Sequence, residues 1–172
     1  MEKKAELFTE RLYLRKLGES DLDNYHAIFG QEQVSMWLGS GKKIDRAIAQ
    51  KILERFGHHW QQNNYGVYGV FSKEDDMLIG QCGLNKLQGT DATELLYAFD
   101  PGSWGKGYAT ESATAVVRFA REHLKLPGLA ALAYPENKSS SRVLDKLGFC
   151  YVEMQEHFGA SLAYYWLDFA QV

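Results

Sequence analysis

The stretch from Pro101 to Glu111, PGSWGKGYATE, places three glycines and one lysine between an apolar run and the start of a predicted helix. Glycine allows a ligand to approach bare backbone, and unpaired amides at a helix N-terminus attract negative charge. Lys106 adds a positive group to the same stretch. These residues predict a phosphate or pyrophosphate site, although a tight strand-to-helix connection would use the same residue types.

Two well-known phosphate-binding loops do not match this stretch. A P-loop needs serine or threonine directly after its lysine, whereas Gly107 follows Lys106. A dinucleotide-binding loop needs a third glycine, where this sequence has Thr110. It also needs an acidic residue at the end of the next strand, and residues 129–132 contain none. The sequence therefore disfavours both kinds of nucleotide site.

Composition narrows the class of protein further. The chain has 172 residues, with 19 Lys+Arg against 22 Asp+Glu and a formal net charge of -3, which argues against a general attraction to nucleic acid or anionic lipid. Cys82 and Cys150 lie far apart without a CxxC motif, so neither a zinc site nor a disulfide framework is indicated. With no long apolar run, we expect one cytoplasmic domain over residues 1–172, without a metal, nucleic-acid or membrane partner.

Hydrophobic periodicity predicts the secondary structure. Ile48, Ile52 and Phe56 are spaced four apart and are expected to line one face of a helix, while alternation over residues 11–17 indicates a first strand. The predicted order is strand, two helices, three strands, helix, strand, helix and two strands. This order predicts an α/β protein with a mixed sheet and helices on its faces. The predicted elements cover residues 11–17, 21–29, 45–60, 65–71, 77–84, 93–100, 109–124, 129–137, 138–147, 149–158 and 162–169.

The glycine loop resembles the acyl-CoA pyrophosphate loop of the GNAT superfamily of N-acetyltransferases, whose pattern is Gln/Arg-x-x-Gly-x-Gly/Ala. Trp104 stands at the Gln/Arg position, Gly107 at the central glycine and Ala109 at the final small residue. Trp104 departs from the general pattern, but WGKGYATE resembles the form found in the RimJ/RimL branch, which includes ribosomal-protein N-terminal acetyltransferases. Four segments match that branch in order: TERLYLRKLGESD, LIGQCGL, ELLYAFDPGSWGKGYATE and NKSSSRVLDKLGF.

The resemblance implies a GNAT fold, in which a mixed, mostly antiparallel twisted sheet carries helices on both faces and two parallel strands splay apart at the acyl-CoA site. The splayed strands would be ELLYAFD and LAALAY. Backbone groups of Tyr97, Ala98 and Phe99 would pair with the pantetheine arm, and an amide there would face the thioester oxygen. The pyrophosphate would lie against the backbone of Trp104, Gly105, Lys106, Gly107, Tyr108, Ala109 and Thr110.

The segment after the second splayed strand supplies two further candidates by resemblance. Asn137 matches an asparagine that contacts the donor, and asparagine is also a preferred helix N-cap. Many GNAT enzymes protonate the departing thiolate with a tyrosine, but Leu144 occupies that position. Ser140 matches a serine that performs this task in the ribosomal branch, and a serine in a first helical turn also serves as a surface or capping group.

The general base is less clearly marked. Glu94 aligns with an acidic position common in this branch, although a strand residue of this type often faces solvent. His157 and water are alternative bases. Asp100 is expected to be a turn residue, and His58 and His59 to lie at a helix end rather than in a metal site.

The resemblance therefore implies an N-acyltransferase that moves an acetyl group from acetyl-CoA, its co-substrate, to a primary amine. The acceptor would be a small molecule or a protein N-terminus, and the sequence does not select between them. Two alternatives stay open: a noncatalytic CoA-binding sensor module and, less favoured, a dinucleotide-binding oxidoreductase. The sequence does not specify the oligomeric state.

Overall fold

The computed structural model describes residues 6–171, which form an eight-stranded sheet with helices on both faces. Every neighbouring strand pair is antiparallel except β5 and β6, which are parallel. The predicted mixed α/β fold is confirmed. The strands are β1 (Leu7–Phe8), β2 (Leu12–Lys16), β3 (Val67–Ser72), β4 (Leu78–Lys86), β5 (Thr93–Phe99), β6 (Gly128–Ala133), β7 (Cys150–His157) and β8 (Ala160–Asp168), and the helices are α1 (Leu22–Phe29), α2 (Glu32–Ser35), α3 (Arg46–Asn63), α4 (Tyr108–Glu122) and α5 (Lys138–Leu147).

The sheet order is β1-β2-β3-β4-β5-β6-β8-β7, and two hydrophobic clusters cover its faces. Helices α4 and α5 pack on one face through small or branched residues, among which Ala113, Val116 and Leu144 are almost completely buried. Helices α1 and α3 pack on the other face around Tyr25 and Phe29. Burial of these apolar side chains is the main stabilising contribution to the fold.

Two short elements and one helix face differ from the sequence prediction. The two-residue β1 and the four-residue α2 are too short to show a periodic pattern, and the sequence did not reveal them. The prediction that Ile48, Ile52 and Phe56 line one apolar face of α3 was wrong for Ile48, which is 41% exposed, while Phe56 is buried and Ile52 is half-buried against the core. A strict spacing of four drifts around a helix that has 3.6 residues per turn. The buried face instead follows Ala49, Leu53, Phe56 and Trp60.

The parallel pair β5–β6 is the irregular part of the sheet. β4 stays paired with β5 along the whole of β5, and β8 stays paired with β6 along the whole of β6. Between β5 and β6 themselves the register contains one pair, Glu94 with Ala130, near the beginning of β5. The two strands therefore part toward their carboxyl ends, as the resemblance to splayed strands predicted.

The sheet next to this gap depends on close backbone contact at Gly83 of β4. A Cβ at this position would lie 2.4 Å from the Gly66 carbonyl oxygen and 2.5 Å from the Val67 Cα, and neither backbone atom can move aside cheaply. We expect Gly83→Ala to lower the free energy of unfolding by about 1–3 kcal/mol through overpacking. Urea denaturation followed by circular dichroism measures this loss.

Gly57 in α3 is the matched control, because a Cβ there meets nothing within 4 Å. Gly57→Ala should raise the free energy of unfolding by about 0.5–1 kcal/mol, since alanine has the better helix propensity. Equal effects of the two substitutions would show that the close approach of β3 and β4 does not constrain Gly83.

Candidate active site

The loop between β5 and α4 gives α4 an uncapped N-terminus. Gly105 and Gly107 have φ angles of 73° and 80°, and Gly107 is the N-cap residue of α4. Side chains other than glycine rarely adopt this left-handed conformation. No side chain accepts a hydrogen bond at this cap among the described residues. The first amides of α4 are therefore available to an anion, next to the exposed Lys106.

Trp104, which departs from the general loop pattern, holds the loop against the end of β5. Its indole Nε1 donates a hydrogen bond of 2.9 Å to the Phe99 carbonyl oxygen, while its side chain stays 48% exposed. Asp100 supports the same turn, because its carboxylate accepts a hydrogen bond from the Gly102 amide at 3.0 Å. Asp100 is thus a turn residue, as the sequence predicted.

A clamp formed by Thr9, Arg11 and Glu111 fixes the start of α4, and sequence reasoning missed it. Glu111 accepts hydrogen bonds from the Thr9 hydroxyl at 2.6 Å, from the Arg11 amide at 2.8 Å and from the Arg11 Nε at 2.7 Å. The Arg11 guanidinium also lies 4.5 Å from the centre of the Tyr108 ring. The clamp joins the β1–β2 turn to the glycine loop. Charged residues in both TERLYLRKL and GYATE were its only signal in the sequence.

A shallow groove of about 590 Å³ continues from Gly107 along the outer face of α4. Thr110, Thr114 and Arg118 line it on α4, and Lys146 of α5 contributes a second cation. The groove therefore joins the candidate anion site at Gly107 to two positive side chains, and the carboxylates of Glu10 and Glu111 line it as well.

The residues expected to meet the pantetheine arm lie in the second half of β5. Tyr97 and Phe99 point toward the cluster formed with α4 and α5, whereas Ala98 packs toward α1 and α3. The β4 edge of this segment is fully paired, but β6 has moved away from its other edge. Backbone groups of Tyr97 and Phe99 thus border the gap, whereas those of Ala98 face β4, like the Asp100 amide that bonds the Ile79 carbonyl oxygen.

The start of α5 lies close to this part of β5. Asn137 is the N-cap, and its Oδ1 accepts a hydrogen bond from the Ser140 amide at 3.2 Å, so the capping role is present. The Ser140 Oγ lies 3.1 Å from the Tyr97 hydroxyl oxygen. Leu144 is 1% exposed and belongs to the core. The structure therefore brings Ser140 and Tyr97 together and leaves Leu144 in a packing role.

Glu94 is buried, contrary to the solvent-facing alternative that the sequence left open. Its side chain is 9% exposed, and no hydrogen bond or ion pair to it is found within residues 6–171. Burial raises the pKa of Glu94 to about 7. Glu94 shares its strand face with Leu96 and Ala98, which pack toward α1 and α3. The carboxyl group and Ser140 therefore lie on opposite faces of the sheet.

A segment after α1 links the open ends of β5 and β6. The Gln31 side-chain amide donates a hydrogen bond of 2.9 Å to Asp100, which follows β5. Tyr134, which follows β6, donates from its hydroxyl to the Gly39 carbonyl oxygen at 2.8 Å. The Trp37 ring packs edge-on against Tyr134 with 6.0 Å between ring centres. Residues 31–39 therefore border the gap at its wide end.

His157 lies away from Glu94, whereas His59 lies in α3 beside the end of β4. His157 is at the β7–β8 hairpin end and contacts Gln155 at 2.8 Å, and β7 is separated from β5 by β6 and β8. The His59 Nδ1 donates a hydrogen bond to the Tyr65 carbonyl oxygen at 2.9 Å, and its Nε2 accepts one from the Lys86 amide at 3.2 Å. Burial lowers the pKa of His59. These contacts assign His59 a structural role and do not bring His157 to the gap.

The two cysteines are not bonded to each other and lie in different environments. Cys82 is completely buried, and burial raises its pKa to about 12, while Cys150 is exposed and unbonded to another cysteine.

Within residues 6–171 there is no group of histidine, cysteine, aspartate and glutamate side chains suited to a metal ion. In the same range no helix is long and apolar enough to cross a membrane.

The acetyltransferase (GNAT) domain model matches residues 11–150. The chain belongs to the GNAT acetyltransferase family. The uncharacterized N-acetyltransferase YoaA of Bacillus subtilis (strain 168) is 29% identical over 146 residues, covering 83% of this chain and 81% of YoaA. This GNAT chain is thus an acetyl-CoA-dependent N-acetyltransferase.

Solved structures of acetyltransferases have the same fold as this chain. An acetyltransferase from Agrobacterium tumefaciens str. C58 superposes with a TM-score of 0.82 at 28% identity, covering 93% of this GNAT chain and 92% of its own. RimL, a ribosomal L7/L12 alpha-N-protein acetyltransferase solved in complex with coenzyme A, has a TM-score of 0.81 at 15% identity, with 96% and 98% covered. At that identity the likeness to RimL shows the fold alone.

The contribution of the clamp to the free energy of unfolding should depend on pH. Although partial burial alone would raise the pKa of Glu111, its hydrogen bonds from Thr9 and Arg11 lower it below the ordinary value. The clamp's contribution is therefore present near neutral pH and is lost as pH falls through the lowered pKa. Glu111→Gln should reduce the free energy of unfolding by about 1–2 kcal/mol at pH 7, and the difference should shrink in acid.

Asp23→Asn is the matched control, since the Asp23–Arg46 ion pair is exposed, with side chains 83% and 59% accessible. Its effect should stay within about 0.5 kcal/mol. Urea denaturation at several pH values measures both variants. A Glu111→Gln effect as small as that of Asp23→Asn would refute the clamp.

Proposed function

We propose that this N-acetyltransferase acetylates a primary amine of a small molecule or a protein N-terminus, holding acetyl-CoA between β5 and β6. The observation that carries the proposal is the parting of these two parallel strands directly before an uncapped, glycine-rich helix N-terminus. A thioester with a long pantetheine arm and a pyrophosphate matches both features, because the arm carries amide groups and the pyrophosphate is anionic.

The donor would lie along one continuous path. The pantetheine arm would pair with the free backbone edge of β5 at Tyr97 and Phe99, with Asn137 as a further contact. The pyrophosphate would lie against residues 104–110, and the nucleotide end would reach the groove that contains Arg118 and Lys146. The clamp of Thr9, Arg11 and Glu111 would hold the start of α4 in place at this groove, which Thr9 and Glu111 also line.

Chemistry at the gap needs a neutral amine, stabilisation of the oxyanion and departure of the thiolate. Glu94 would remove a proton from the amine on the face of α1 and α3. A backbone amide within residues 97–99 would stabilise the oxyanion, and Ser140 would serve the thiolate on the opposite face. Because the base and the serine lie on opposite faces, the acceptor and the donor would approach from different sides of the sheet.

CoA binding tests the donor site. CoA at about 100 times its dissociation constant should stabilise the native protein by about 2.7 kcal/mol, which thermal unfolding detects. Gly107→Glu should abolish this protection, because a carboxylate would stand where the pyrophosphate approaches. Gly107 also has a φ of 80°, so the substitution introduces backbone strain in addition to charge.

Gly89→Glu controls for that strain, since Gly89 has a φ of 80° in the β4–β5 turn, with open space around it. This variant should lose stability in a similar way yet keep its protection by CoA. If CoA protects Gly107→Glu as strongly as it protects Gly89→Glu, the donor binds elsewhere.

The pH dependence of turnover tests the role of Glu94 as the general base. With its pKa raised to about 7, the carboxyl group is protonated in acid, so thiol release should rise with pH through about 7. Glu94→Gln should lower turnover about 10²-fold or more and remove this acidic limb. The wild type should also lose stability relative to Glu94→Gln as pH rises from about 4.5 to about 7, because the native state resists ionisation of the buried carboxyl.

Thiol release from acetyl-CoA against a panel of amines measures this rate. An unchanged pH profile for Glu94→Gln would assign the base to water or another residue. A wild-type protein that CoA protects, but that releases no thiol with any amine, would instead support the noncatalytic CoA-binding sensor module.

A further inference from the structure

The hydroxyl of Tyr97 connects the donor strand to the first turn of α5. Its single proton has two acceptors to choose from, the Ser140 carbonyl oxygen at 3.0 Å and the Ser140 Oγ at 3.1 Å. Both side chains lie on the sheet face covered by α4 and α5, beside the part of β5 that β6 has left. The contact therefore lies at the gap itself.

The phenol of Tyr97 is a hydrogen-bond donor that keeps its proton. Burial raises the pKa of Tyr97 strongly, an effect that the Ser140 hydrogen bond only partly offsets, so the phenol keeps its proton at any working pH. It has one proton and two acceptors within reach, the carbonyl oxygen and the Oγ of Ser140. When the phenol donates to Oγ, the Ser140 proton must point away from Tyr97.

We propose that Tyr97 is a positioning residue that aims the Ser140 hydroxyl at the departing sulfur. This inference rests on the proposed function, and it assigns the tyrosine side chain a role beyond the backbone contact of residue 97. Leu144, buried in the core, offers no hydroxyl on α5 for the same purpose.

The step balances without a further reactant. The amine nitrogen forms a bond to the acetyl carbon, and the bond from that carbon to sulfur breaks. Sulfur leaves with the electron pair and takes the Ser140 hydroxyl proton. The nitrogen loses a proton to the base, which passes it to solvent. Ser140, held by the Tyr97 hydrogen bond, then regains a proton from solvent.

Tyr165 provides a matched control on the same face. Its hydroxyl donates to the Oγ of Ser141 at 3.4 Å, one residue further along the first turn of α5. Tyr165→Phe therefore removes a buried hydroxyl bonded to a neighbouring serine without touching Ser140. Its kcat should equal that of the wild type.

Tyr97→Phe should lower kcat for thiol release by at least about 10-fold, since a hydrogen bond that supports developing charge is lost. The dissociation constant for CoA should stay within about twofold. In the Ser140→Ala background the same substitution should cause no further loss, because the two hydroxyls act as one unit. Steady-state kinetics and CoA titration of the single and double variants give these values.

Several results would overturn the inference. Full kcat in Tyr97→Phe or in Ser140→Ala would do so, as would losses that multiply in the double variant. A fall in kcat that is matched by equally weaker CoA binding would assign Tyr97 a structural role alone. A wild type that releases no thiol with any amine contradicts this inference and the proposed function together, whereas a fully active Tyr97→Phe enzyme contradicts this inference alone.

Discussion

The parting of β5 and β6 is the constraint on which the proposed site depends. Every other neighbouring pair in the sheet is antiparallel, but this parallel pair keeps the register contact of Glu94 with Ala130 and then opens. Opening leaves strand edges with unused donors and acceptors, which a sheet normally satisfies. Residues 31–39 are bonded to both strand ends, since Gln31 donates to Asp100 after β5 and Gly39 accepts from Tyr134 after β6, so the surrounding structure maintains the gap instead of closing it.

The sheet also separates the two halves of the proposed chemistry. Alternation along β5 directs Glu94 toward α1 and α3 and Tyr97 toward α4 and α5. The first side has a buried carboxyl group without an observed partner among the described residues, and the second has paired hydroxyls beside a helix start. An acceptor amine and a departing thiolate need these different environments, because one step removes a proton and the other supplies one.

Local patterns predicted the fold and the position of the glycine loop between β5 and α4, because glycine spacing, strand alternation and helix caps are visible within short stretches of sequence. Contacts between residues far apart in the chain could not be predicted from local patterns. The Arg11–Glu111 hydrogen bond spans 100 positions and the Tyr97–Ser140 pair spans 43. The burial of Glu94 was missed for a related reason. A charged residue at a strand start usually faces solvent, and only the packing of α1 and α3 shows that this one does not.

Hydrogen exchange with and without CoA tests the central claim, that the gap between β5 and β6 binds the donor. CoA should slow amide exchange in residues 97–99 and 105–110, since the ligand would occupy the free strand edge and the first amides of α4. Exchange in β7, at the far edge of the sheet, should not change. Unaltered exchange in both segments at saturating CoA, or protection confined to other elements, would contradict the account.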